Sequence, residues 1–259
     1  MTGFRKFNWV GWLVFTALLV FCECGSRMTP KLQLYIPPPS QVLVALGQLM
    51  SAGEVFGHLL VTLRRFIEGY VLAAALAVTL GVLFGYFRFA HSLVDVLIEF
   101  LRPMPSVAII PVAVLLLGIG DSMIIAVTVY ASVWPILINT IDGVRHVEQT
   151  LVQTGRTFGL TPGRILRRVI LPASLPYIVT GLRVSLSIAL ILVTTAEMVA
   201  GSKGIGFFIL DEERALRGSN MYAGIVLVAV LGYALNRLFL TMERKALKWR
   251  RPALTDEMI

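Results

Sequence analysis

Two groups of residues in this chain have types and spacings suited to chemistry or to mechanical work. Neither is a catalytic constellation. The first is a set of charges at the ends of long apolar runs: Arg64, Arg65 and Glu68 ahead of one run, and Glu197 near the end of another. Arg64 and Glu68 are four residues apart, so a helix lets them pair. Charge at a span end can simply snorkel to the interface, or it can shape the outer mouth of a pathway. Ionisable groups within a span are costly and turn to the bundle interior. Glu197 is therefore expected to meet Arg64 or Arg65, as a packing pair or as an outer gate. Thr194 and Thr195 beside it can hydrogen-bond a solute or bond back to their own helix. Arg183 lies roughly 21 Å from Glu197 along a helix, too far to pair with it.

The second group is the polar, Arg-rich stretch QTGRTFGLTPGRILRRVILP, Gln153–Pro172. Gly159 can take the positive φ that ends a helix. Thr161 then stands as an N-cap, with Pro162 at the first helical position, where its missing N–H costs nothing. Pro172 and Pro176 interrupt again before the next span. The spacing reads as helix, sharp turn, short helix, stop. Such a rigid elbow, carrying Arg156, Leu160 and Arg164 before Leu171 and Pro172, is built to be gripped by a partner in the cytoplasm.

Several chemistries are absent. No phosphate loop of the G-x-x-x-x-G-K-[ST] type occurs, and GSKGIG (Gly201–Gly206) has the wrong spacing, so the chain does not hydrolyse ATP alone. His58, His91 and His146 lie in separate segments, and Cys22 and Cys24 have no zinc-type partners. No G-x-S-x-G nucleophile turn is present. No catalytic residue, metal or cofactor of its own is expected.

The elements that position these groups follow from composition. The 259 residues are 57% hydrophobic and 15% charged, with mean hydropathy +0.81; soluble domains carry about 25% charge. This is an all-α membrane protein. Six runs approach the ~20 residues a membrane-crossing helix needs: Phe7–Cys22, Gly69–Phe87, Pro103–Gly120, Ser122–Ile141, Ile178–Val199 and Gly218–Asn236. The third carries Pro103, Pro105 and Pro111. Lipid tolerates such breaks only where protein or a water-filled cavity covers the freed backbone. Its face with Met104 and Ser106 should point inward, as a kinked packing surface or as a pathway wall. Glu99 and Arg102, three apart, can neutralise each other.

The first run follows Arg5 and Lys6 and precedes Cys22. Phe21 is too large for a lipoprotein cleavage site, so an uncleaved anchor is expected. Residues 1–56 form this anchor and an outer segment, with an interfacial helix over Ser40–Met50. Residues 57–241 form the core, with a cytoplasmic loop at about 142–176, and 242–259 a basic tail. With the N-terminus inside, thirteen Lys and Arg fall on the cytoplasmic side against five outside. That asymmetry is the positive-inside rule; it places both termini in the cytoplasm and accounts for the net charge of +8 without a nucleic acid. The outer loop Asp211–Arg217 mixes both signs and faces where a delivery protein would dock.

The elbow resembles the cytoplasmic signature loop of ABC importer permeases, which reads E-A-A, three residues, G, nine residues, I, one residue, L-P. Gly159, Val169, Leu171 and Pro172 fit that spacing, whereas Gln153, Thr154 and Gly155 replace the opening triplet. RPMPSVAIIP (Arg102–Pro111), GIGDS (Gly118–Ser122), LPYIVTGLR (Leu175–Arg183) and AEMVAGSKGIG (Ala196–Gly206) are similar to runs of the nitrate/sulfonate/taurine branch. The resemblance spans roughly Leu59 to Arg244. It implies a type I ABC importer permease fold in the bacterial inner membrane and a second permease copy, forming a homodimer. It also implies two cytoplasmic ATPases carrying ATP and Mg, and an extracytoplasmic binding protein. The cargo would be a small anionic or zwitterionic solute such as a sulfonate, taurine or nitrate. The alternatives are a secondary transporter or channel, which would show an inverted repeat or a charge relay, and a membrane scaffold without transport.

Overall fold

The computed structural model describes residues 9–28, 33 and 35–249, and every regular element among them is helical. Arg5, Lys6, Lys31, Arg250 and Arg251 lie outside the described residues. Helix α1 (Trp9–Met28) is followed by α2 (Pro39–Ala52), which begins on the proline run because Pro39 needs no N–H there. Gly53, at φ +75°, separates α2 from the long α3 (Glu54–Tyr86). Then come α4 (Arg88–Leu101), a 3₁₀ turn (Ser106–Ile109), α5 (Ile110–Leu117) and α6 (Asp121–Arg145). The elbow holds α7 (Gln149–Thr157) and α8 (Pro162–Ile165), and a π turn (Leu166–Ile170) leads into α9 (Leu171–Ala200). Helices α10 (Ile205–Arg214) and α11 (Gly218–Ala246) close the described chain. Among the described residues five helices are long and apolar enough to cross a membrane, or six if a bent pair counts as one span.

Helix α6 is the centre, packed between α3 and α9. Apolar helices gain little hydrophobic drive from one another in lipid, so close approach of backbones must hold them. The sequence supplies it through Gly69, Ala73, Ala77 and Gly81, which recur every four residues on one face of α3. A Cβ added to Gly81 would lie 2.6 Å from Thr140 Cβ, and one on Gly69 would lie 2.8 Å from Thr128 Cγ2. On the other side, Gly181 of α9 sits as closely over Asn139. Between these contacts Met123, Ile124, Val127, Ala189 and Val193 form the core. Two interhelical hydrogen bonds fix the levels: Ser185 Oγ donates to the Ser132 carbonyl (2.7 Å), and Tyr70 Oη to the Leu182 carbonyl (2.8 Å).

The structure departs from the sequence expectation in three places. Helix α3 starts at Glu54, so Arg64, Arg65 and Glu68 lie inside it rather than opening a span near Gly69. Nothing in that stretch breaks a helix; the charges lower the hydropathy without stopping the backbone. The third span is two arms, Ser92–Leu101 and Ser106–Leu117, that meet at 90°. Pro103 and Pro105 stop the ladder between them, whereas Pro111 sits in the first turn of α5, where it breaks nothing. No ion pair joins Glu99 to Arg102 among the described residues. Third, Pro172 and Pro176 do not interrupt the chain: Pro172 lies in the first turn of α9 and Pro176 inside it. The π turn ending just before Pro172 widens the backbone and takes up the ring that would meet a carbonyl four residues back.

Candidate functional site

At one end of the bundle, α3, α6 and α9 bring their charges into a single cluster. Arg65 and Glu197 form its buried centre, with side chains 4% and 0% exposed. Arg65 Nη1 donates to Glu197 Oε1 (2.9 Å) and to the Lys203 carbonyl (2.6 Å). Its Nε and Nη2 both donate to Asp121 Oδ1, at 2.9 and 2.5 Å. Arg64, on the exposed side, bridges Asp121 Oδ2 (2.5 Å) and Glu68 Oε1 (3.1 Å). The planar guanidinium of Arg65 is suited to this, because one fork can satisfy two carboxylates and a carbonyl.

The loop after α9 completes the site. Gly204, at φ +115°, lets the backbone fold back over the Glu197 carboxylate, and a Cβ there would overlap it. The Gly206 N–H donates to Glu197 Oε2 (3.1 Å), and Thr62 Oγ1 lies 2.8 Å from the same oxygen. The Ile205 N–H donates in turn to Thr62 Oγ1 (2.8 Å). The glycines of GSKGIG, wrongly spaced for a phosphate, thus cradle the chain's own carboxylate. Burying an ion pair stabilises only when such further bonds satisfy its remaining lone pairs.

Of the sequence candidates, Arg64, Arg65, Glu68 and Glu197 come together here. Thr194 and Thr195 bond back to α9, on the Leu190 and Ile191 carbonyls at 2.8–3.0 Å. Met104 and Ser106 lie elsewhere, at the break between α4 and α5. Tyr130 Oη donates to the Leu101 carbonyl (3.2 Å), which holds that break level with the middle of α6. Asp121 was missed, although it stands in GIGDS directly before an apolar run. An acid at that position was the available signal. Thr62 gave none, because its role depends on a loop far away in sequence.

The elbow forms the opposite end of α6 and α9. The Leu160 N–H donates to the Gly155 carbonyl (3.1 Å) and the Gly159 N–H to the Arg156 carbonyl (2.9 Å), with Gly159 at φ +72°. These two bonds are the Schellman pattern. Thr161 is extended and Pro162 follows it at the helix start, but the Thr161 side chain makes no cap bond. Ile165, Ile170 and Val144 are buried beneath, against Leu160 and Val169. Gly155 packs on this cluster, its would-be Cβ 3.5 Å from Ile165 and Leu160. Arg156, Arg164 and Phe158 face outward, Phe158 81% exposed. Leu171 and Pro172 lead into α9.

A bundle of membrane-length helices joined by a rigid basic elbow, with a charge-locked end opposite, defines a multi-pass helical membrane subunit. The binding-protein-dependent transport system inner membrane component family matches residues 70–248, and the chain belongs to it. It is thus an inner-membrane permease subunit of an ABC importer, not itself an enzyme, and works with an ATPase and a substrate-binding protein. It is 29% identical to the putative aliphatic sulfonates transport permease protein SsuC of Bacillus subtilis, covering 96% of this chain and 90% of that one. It is 32% identical to the bicarbonate transport system permease protein CmpB of Synechococcus elongatus (88% and 84%). Identity to the taurine transport system permease protein TauC of Escherichia coli is 28% (83% and 80%). Among solved structures, a chain of the inward-facing MetNI methionine ABC transporter shares the fold. Its TM-score is 0.59 at 21% identity, covering 74% of this chain and 94% of that one.

Proposed function

We propose that two copies of this chain form the membrane path of an importer for a small anionic or zwitterionic solute, such as a sulfonate, taurine or nitrate. Two cytoplasmic ATPases, carrying ATP and Mg, grip the elbow at Arg156, Gly159, Leu160, Thr161, Pro162 and Arg164, and Leu171 and Pro172 pass the motion into α9. The Arg65–Asp121–Glu197 cluster is the outer gate. The observation that carries this reading is the elbow tip: a rigid Schellman turn presenting Phe158 between Arg156 and Arg164. An exposed aromatic beside arginines is the composition of a binding hot spot. Names of relatives that carry sulfonate and taurine support the solute class.

Phe158→Asp places a charge where an apolar anchor would be buried. It is expected to cut co-purification of the ATPase at least about tenfold, the equivalent of 1.4 kcal/mol, while the permease still inserts. Full recovery of the complex would refute the elbow as the grip. Orientation follows from the thirteen basic residues against five. Reporter fusions after Ile259 and at Gly218 should lie on opposite sides of the membrane; a shared side would overturn the topology.

A further inference from the structure

A cavity of about 960 Å³ lies at the elbow end of the bundle, beside α7. Its walls include Tyr86 at the end of α3, Ser92 of α4, Arg145 at the end of α6, and Gln149, Gln153 and Arg156 along one face of α7. The guanidinium groups of Arg145 and Arg156 meet no acceptor among the described residues. None of the neighbouring acids, Asp95, Asp142 or Glu148, is part of the walls. Gln149 opens α7, and no side chain caps that helix start, which leaves its first N–H groups for an anion. Phe158 and Arg164 of the elbow tip lie outside the cavity, so it meets the proposed ATPase grip only at Arg156. An apolar stripe starts beside it. Phe89, Leu93, Val96 and Phe100 recur every three or four residues along α4, and all are exposed. From Phe89 to Phe100 the stripe runs about 16 Å. It ends next to Leu101, which Tyr130 holds level with the middle of α6. One leaflet is half of the ~30 Å hydrocarbon core, so the stripe is one leaflet long.

We propose that the cavity and the stripe together hold one anionic phospholipid, its phosphate on Arg145 and Arg156 and an acyl chain along α4. The site goes beyond the reading of the chain as a solute path and is independent of the solute carried. A phosphodiester accepts paired bonds from a guanidinium fork. Gln149 and Gln153 are placed to bond glycerol hydroxyls. With no carboxylate in the walls, the ammonium of a zwitterionic headgroup finds no partner, so the cavity selects for net negative charge. The leaflet-long stripe favours a lipid over a soluble phosphate or an acidic side chain of the ATPase, because neither of those has an apolar tail to lay on α4. Seated there, the lipid ties the elbow to the membrane surface.

The test adds lipid to the detergent-solubilised full-length permease and counts retained lipid by native mass spectrometry. Phosphatidylglycerol and phosphatidylethanolamine with the same acyl chains are compared. Two arginines facing the phosphate set the expected retention of phosphatidylglycerol at least about tenfold above phosphatidylethanolamine. Arg145→Gln should cut phosphatidylglycerol retention about fivefold and leave phosphatidylethanolamine unchanged, and Arg145→Lys should restore part of the loss. Gln149→Glu, a second surface change, should lower phosphatidylglycerol in the same selective way. Phe89→Ser combined with Leu93→Ser should lower both lipids alike. Glycerophosphoglycerol, the headgroup without chains, should compete only weakly; full displacement by an equal concentration would assign the arginines to a soluble anion and overturn the lipid. Equal retention of the two lipids, a ratio unchanged in Arg145→Gln, or retention indifferent to the stripe variant would each overturn the site. So would release of the lipid on adding the ATPase, which would give the cavity to an acidic side chain of that partner.

Discussion

Arg65→Leu is expected to destabilise the permease by about 3–5 kcal/mol, the range for removing one partner of a buried ion pair. The loss arises because Glu197 stays behind, fully buried, with only Thr62 and the Gly206 N–H to solvate it. Asp121 loses its buried partner at the same time. Glu197→Leu should cost less, since Arg65 retains Asp121 and the Lys203 carbonyl. In the double variant the carboxylate is no longer stranded, so its loss should be smaller than the sum of the two singles. Unfolding of the detergent-solubilised protein, followed by intrinsic fluorescence, measures all three. A loss under about 1 kcal/mol for Arg65→Leu would fit an exposed pair instead. Under the gate proposed above, the milder Glu197→Gln should also raise ATPase activity in the absence of binding protein. Lower yield with unchanged basal activity would leave Glu197 as a packing residue.

Gly159→Val is expected to reduce ATP-driven uptake in proteoliposomes by about tenfold, corresponding to roughly 1–2 kcal/mol of left-handed strain. No atom lies within 4 Å of the Cβ that this change would add, so steric collision with neighbours is not the cause. The cost is in the backbone: at φ +72° a β-branched residue resists the turn, and relief would swing α8 away from α7. Gly159→Asn is the control, because asparagine tolerates this conformation, and it should keep most of the activity. Equal loss in both variants would locate the defect in the missing glycine surface rather than in the turn. Normal uptake by the valine variant, with full recovery of the ATPase, would remove the elbow from the coupling path.

Much of this molecule is determined by local rules that a sequence displays. Its low charge and long apolar runs require a helical membrane protein, because only helices or closed barrels satisfy their own backbone in lipid. The elbow was legible because each of its parts is local: Gly159 ends one helix, Pro162 starts the next, and the bonds between them span five residues or fewer. Family membership could be read from ordered short motifs for the same reason. Tertiary structure decided what depends on distant partners. Arg64 and Arg65 are neighbours in sequence but about 100° apart around a helix. Only packing against α6 and α9 determines that Arg65 turns inward to Glu197 while Arg64 stays exposed. The pairing with Asp121 joins residues 56 apart in sequence, and the cradle around Glu197 needs a loop glycine with positive φ beside a threonine of another helix. The bent third span shows the same limit. Its prolines announced a break, but tertiary contacts, the bond from Tyr130 to Leu101 among them, fix the level at which the break sits. Ser92 and Arg145 wall one cavity because α6 packs along α3, from which α4 leads off, a juxtaposition that no local pattern encodes.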